Sequence, residues 1–184
     1  MLGGRISSSE PIYARSSRWR FCVRKFSFEE YRESCHEARC IKFRRSSGMD
    51  CFPEAAMRHF KDAKILKDKQ RYDNAMCHYA FSAECALKAI LSASNRSKRG
   101  HNLINLNANL LQVISTSAGS LAFLNTKFSA AVQKNSVPPK LAQDHPERRY
   151  FASQSYTKTE IEEAEQYAEF LTDQIVQMVA DGVL

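Results

Sequence analysis

Long apolar runs are missing from these 184 residues. None approaches the roughly 20 residues that a bilayer-spanning helix needs. The opening MLGGRISSSE also has no apolar stretch of the secretory type. A membrane protein is therefore not expected, and a cytoplasmic one is; the Arg and Ser of the first residues keep an organelle presequence as the other reading. Glycine is scarce, at 6 residues, and forms no Gly-rich phosphate loop, which removes P-loop nucleotide chemistry. No internal repeat is present. The 6 cysteines, Cys22, Cys35, Cys40, Cys51, Cys77 and Cys85, include no Cys-x-x-Cys pair. CHEARC (35–40) has no second half to complete a structural zinc site. The thiols are expected to be reduced, and no metal or other cofactor is expected.

What is present is positive charge, unevenly placed. The net charge is +7. Residues 1–48 hold 11 Lys and Arg against 5 Asp and Glu, a net +6, and the remaining residues carry only +1. A basic arm of this kind attracts polyanions by phosphate neutralisation and counterion release; as a bland alternative it is a solvated extension. Within it Arg18, Trp19, Arg20, Phe21 and Arg24 interleave cations with aromatics. That pattern suits stacked bases and phosphates, or a tail laying its aromatics on the folded body. Residues 15–28 alternate like a short strand, and Ser27 with Glu30 forms a capping-box pattern for a helix over about 28–43. Met49 is a second candidate start, which would leave 1–48 outside the folded unit, 49–184.

From Asp50 onward the periodicity is helical. Pro53 suits a first helical turn, and Ala56, Phe60, Ala63 and Leu66 recur at helical spacing. After the turn KQRYD a second helix is expected with Asp73 as its cap. Met76, Tyr79, Ala83, Leu87, Ile90 and Leu91 form one face, with small residues Ala80, Ser82, Ala83 and Ala86 allowing close approach. SASNRSKRG ends it. Residues 101–133 read as one interrupted helix or two short ones, broken near Ser117–Gly119, and 134 to about 150 as a long loop. Thr157 and Glu160 make a capping box for the last helix. Its seam is Ile161, Ala164, Ala168, Leu171, Ile175 and Met178. The expected fold is all-α, an antiparallel up-and-down bundle of four main helices with an N-terminal arm.

The stretches HFKDAKIL, RYDNA and AECALKA, in that order, resemble the first helical hairpin of HEPN domains (higher eukaryotes and prokaryotes nucleotide-binding). HNLINL is similar to that family's histidine-led start of its third helix. RRY followed by TEIEEAEQYAEFL is similar to its arginine–tyrosine segment and acidic final helix. The resemblance spans about residues 54–180. It implies a helical bundle that commonly forms a homodimer and handles RNA or nucleotides. It also implies a toxin–antitoxin or defence setting, or a place beside a small nucleotidyltransferase. Some members are ribonucleases with an Arg-x(4–6)-His motif; others lack it and act as partner or substrate-binding subunits.

Arg96 and His101 match the literal Arg-x4-His spacing. Metal-free RNA cleavage needs a base for the 2′-hydroxyl, which histidine supplies, and a cation for the developing phosphorane charge, which arginine supplies. The pair, however, follows the second helix, where catalytic members carry it after the third. In the later position this chain has DHPERRYFASQ, with His145 ahead of Arg148 and no histidine behind it. Read without catalysis, His101 caps or bonds backbone at the bend. For ligand contact the candidates are Lys88, Lys98, Arg99, Arg148, Arg149 and Tyr150: cations for phosphate, and an aromatic for base stacking. The competing reading puts Tyr150 in the core and one arginine in a surface ion pair. Glu84 and Lys88, at i and i+4, form a helical ion pair or line a pocket. His59 and His78 read as packing or surface residues. The leading expectation is a nucleotide- or RNA-binding accessory subunit without strong catalytic equipment, its partner a nucleotidyltransferase or an antitoxin. The rivals are a metal-independent ribonuclease and a plain dimerisation module.

Overall fold

The computed structural model describes residues 51–94, 99–116, 132, 134–151, 156–181 and 184. The basic arm lies outside them, and with it the expected strand and helix of 15–43; so do residues 117–131, where a break or a second helix was expected. The described residues contain helices and no strand. They run α1 (Phe52–Asp68), α2 (Tyr72–Ala93), α3 (Leu103–Thr116), α4 (Pro139–Ala142), a 3-10 turn (Glu147–Tyr150) and α5 (Lys158–Ala180). The four long helices are the expected bundle. None is long and apolar enough to cross a membrane.

Local chemistry sets each boundary. Pro53 sits in the first turn of α1, where its missing N–H costs nothing, and Glu54 and Lys67 complement the two ends of the helix dipole. The helix closes with Gln70 at φ 57. The N–H of Gln70 donates to the Lys67 carbonyl (2.8 Å) and that of Arg71 to the Leu66 carbonyl (2.9 Å). This is a Schellman closure with glutamine in the left-handed position usually held by glycine. Helix α2 then starts at Tyr72 with Arg71 at the cap position. Asp73 therefore lies in the first turn and not at the cap, because the closure of α1 has already fixed the backbone at Arg71, two residues earlier. At α5 the capping box is formed in both directions. The Glu160 N–H donates to Thr157 Oγ1 (3.2 Å), and the Thr157 N–H donates to Glu160 Oε2 (2.8 Å).

Helix α2 is the axis of the fold, packing against α1, α3, α4, the 3-10 turn and α5. All six of its expected core positions are buried, but so are Glu84, Ala86, Lys88 and Ala89. Neighbours cover most of this helix and leave a stripe through Asn74, His78, Phe81 and Cys85 partly open, so a one-face reading was too narrow here. Small residues let α1 approach closely. The Ser82 hydroxyl donates to the Ala56 carbonyl across that contact, at 2.9 Å. The α5 seam from Ile161 to Met178 is buried throughout. Tyr167 ties α5 to α3 by donating to Asn107 Oδ1, at 3.3 Å.

The segment 134–150, expected as a loop, contains α4 and the 3-10 turn. Its order comes from Arg148, which is buried. Nη2 of Arg148 donates to the carbonyls of Lys140 (2.9 Å) and Leu141 (2.7 Å) and also contacts the Gln143 carbonyl. These are the carbonyls that a short helix leaves without internal partners. The His145–Pro146 peptide is cis, and Asp144 has φ 54.

Candidate functional site

Glu84 projects from the middle of α2 into a contact shared by three segments. Its Oε1 accepts from Lys88 Nζ at 2.7 Å and lies 3.0 Å from His101 Nδ1; its Oε2 lies 2.6 Å from His145 Nε2. Burial opposes ionisation of this carboxyl, but hydrogen bonds from His145 and Lys88, with their charges, hold it down at about 2. Glu84 is therefore ionised and can only accept, so both imidazole nitrogens facing it carry protons. The chain folds this way locally because Glu84 and Lys88 stand one turn apart, and because the two flanking connectors each deliver a histidine. His145 is buried, with its ring edge against Phe81 (centroids 5.1 Å apart), and its Nδ1 has no hydrogen-bond partner. His101 is the exposed member, with 60% of its side chain accessible.

These contacts revise several expectations. His101 bonds a carboxylate across the fold and not the backbone at the bend. Asn102 is the residue that caps α3, its Oδ1 accepting from the Asn105 N–H at 3.0 Å. Lys88, expected at a ligand surface, is buried, with its ammonium on Glu84 and 5.7 Å from the Phe52 ring centroid. Arg148 is likewise committed, to the carbonyls around α4. Neither cation offers phosphate an exposed face. Arg96 and Lys98 lie outside the described residues. Arg99 is exposed.

Arg149 and Tyr150 form the exposed counterpart of this buried group. Tyr150 is 75% accessible and Phe151 50%, so Tyr150 is not a core residue. The Arg149 guanidinium stands 4.7 Å from the Tyr150 ring centroid and 5.8 Å from that of Phe81. Cation and aromatic are thus presented together on the surface next to His145. Nearby, burial pushes the Cys77 thiol up, out of the reactive range. Cys77 is a free thiol. Cys51 and Cys85 line a shallow cleft of about 280 Å³ with Phe52, Glu54, Ala55 and Arg58.

A family model, the HEPN domain, matches residues 52–178, the whole of the described bundle up to the last turn of α5. The chain belongs to the HEPN family. The match leaves the N-terminal arm outside, and its limits differ by two residues at each end from the 54–180 span of the resemblance. No curated protein and no solved structure matches the chain. Within this HEPN bundle Glu84, Lys88 and His101 come from AECALKA and from the histidine before α3, two of the stretches that carried the resemblance. His145 is the member that sequence reasoning missed. Its neighbours in DHPERRY are polar and turn-forming, so nothing local marks it as buried, and only the packing of 134–150 against α2 reveals it.

Proposed function

We propose that this HEPN protein binds RNA or a nucleotide without cutting it, as an accessory subunit to a toxin, defence or nucleotidyltransferase partner. The observation that carries the reading is the exposed Arg149–Tyr150 pair, with Phe151 beside it. A guanidinium seated on an aromatic ring provides phosphate contact and a stacking face at one place, the combination that single-stranded nucleic acid uses. The Glu84 cluster supports the non-catalytic half of the reading. Its buried ammonium, on Lys88, spends its charge on the Glu84 carboxylate, and His145 is buried against the same carboxylate.

Fluorescence anisotropy with a single-stranded RNA tests binding. Tyr150→Ala should weaken it by about 1–3 kcal/mol, the usual worth of one stacked base. Affinity should also fall steeply with salt. No binding at low salt would leave the dimerisation module as the better reading. Light scattering gives the oligomeric state, for which a homodimer is expected.

One observation favours the ribonuclease reading. Histidine 101 has its Nδ1 oriented by Glu84 and most of its ring exposed, the arrangement of a carboxylate-positioned general base. Total RNA incubated in EDTA with the native protein and with His101→Ala should give identical patterns if the protein only binds. Fragments that appear with the native protein alone would assign the reaction to His101.

A further inference from the structure

Phe81 has a second aromatic neighbour besides His145. His59, from α1, stacks against it with centroids 5.5 Å apart. His59 Nδ1 faces His78 Nδ1 of α2 at 3.4 Å, and His78 Nδ1 lies 3.9 Å from Asp62 Oδ2. One ligand atom from each of the three residues falls within 4.8 Å of the other two. His59 and Asp62 are one turn apart on α1, so both point from the same edge toward α2, and the Schellman turn and the Ser82–Ala56 bond set the register that brings His78 opposite.

We propose that His59, Asp62 and His78 form a divalent-metal site of the zinc class, held by two imidazoles and one carboxylate and open to solvent at its fourth position. The distances carry this. Two nitrogens each 2.0–2.1 Å from a tetrahedral zinc are about 3.4 Å apart, the separation already present between the two Nδ1 atoms. Asp62 Oδ2 lies 3.9 Å from His78 Nδ1 and within 4.8 Å of the His59 ligand atom, so a rotation of this half-exposed carboxylate by roughly an ångström joins them at tetrahedral ligand spacing. The donor set of imidazole and carboxylate suits zinc and its first-row neighbours. All three residues are half-buried, which gives a metal both an approach from water and a partly dry seat. Burial, with the neighbouring His78 and Arg58, also lowers the His59 pKa, favouring the neutral imidazole that binds metal. The site lies across α1 and α2, so occupancy would clamp the hairpin on which the Glu84 cluster is built. It does not depend on the RNA-binding reading.

Titration of the full chain with Co2+ and with Zn2+ tests it. Co2+ should give the visible d–d bands of a four-coordinate nitrogen–oxygen site, without a thiolate-to-cobalt charge-transfer band. Zn2+ should displace it and raise Tm. His59→Ala, His78→Ala and Asp62→Asn should each weaken Zn2+ binding by at least about tenfold, as loss of a direct ligand does. Circular dichroism of each metal-free variant should stay native, because all three side chains are at the bundle edge; Asp62→Asn, nearly isosteric, decides the matter if a histidine variant unfolds. A thiolate-dominated Co2+ spectrum that the three substitutions leave unchanged would place the metal on cysteines and overturn the proposal, as would absence of binding. A Zn2+-induced rise in Tm that survives Asp62→Asn would also overturn it.

Discussion

Two polar clusters share helix α2, each with a ring against Phe81, and they are built in opposite ways. Around Glu84 both carboxylate oxygens are engaged: one carboxylate receives an ammonium and two imidazoles, and Glu84, Lys88 and His145 are buried. Around His78 two imidazoles present Nδ1 to the same point, beside a carboxylate, at the half-exposed edge of the hairpin. The first arrangement consumes its charges internally and joins three segments of chain. The second is held by one long imidazole–imidazole contact, with the Asp62 carboxylate beyond hydrogen-bond distance, at an edge that water reaches. Proximity of titratable side chains therefore says little by itself; what separates scaffold from receptor is how tightly the carboxylate is bonded and how far it is buried.

Glu84→Leu breaks the first cluster most severely. Removing one partner of a buried ion pair leaves the others uncompensated, so a loss of about 3–5 kcal/mol is expected in urea unfolding followed by far-ultraviolet circular dichroism. A loss under about 1 kcal/mol would show that the cluster is not what joins α2 to the connector before α5.

Acid should attack the same point. The Glu84 carboxyl sits at about 2 in the folded protein against an ordinary 4.5. Its stabilisation is thus complete above about pH 5 and is lost as pH falls toward 2, a contribution on the order of 3 kcal/mol. Urea midpoints measured across that window should fall with pH in the native protein and flatten in Glu84→Gln. An equal slope in both would assign the acid sensitivity to other carboxylates.

How far these clusters could be read from the chain depends on how local their causes are. The Thr157–Glu160 box and the α5 seam were legible because a capping box and a three-four repeat act within a few residues. Glu84 and Lys88 were legible as a pair, being one turn apart. Their burial was not, because it follows from distant segments packing over that part of α2. Arg148 looked like a phosphate ligand because a basic pair beside a tyrosine has the same spelling whether it faces water or helix-end carbonyls. His59 and His78 read separately as packing or surface residues, because their meeting beside Asp62 depends on the register of a hairpin closed by an unusual left-handed glutamine.

That register can be loosened without touching either cluster. Ser82→Ala removes the hydroxyl that donates to the Ala56 carbonyl inside the α1–α2 contact. A cost of about 1 kcal/mol is expected, the net worth of a buried hydrogen bond plus some penalty for the bare carbonyl. If that bond helps hold the hairpin in register, Zn2+ affinity should fall with it, while the pH slope assigned to Glu84 stays. Parallel loss of both would mean that the two clusters respond as one unit.

The smallest expected effect sharpens the contrast most. Asp62→Asn, without metal, should change unfolding stability by less than about 0.5 kcal/mol, as half-exposed substitutions away from caps and core generally do. Its carboxylate is 3.9 Å from His78, beyond hydrogen-bond distance, so the apo protein gains little from it. With Zn2+ present the same substitution should abolish most of the stabilisation that metal binding adds through linkage. A side chain with almost no effect in the empty protein and a large one in the loaded protein belongs to a receptor. If Asp62→Asn cost as much without metal as with it, the His59–Asp62–His78 group would be a second scaffold like the Glu84 cluster, and the contrast between the two clusters would disappear.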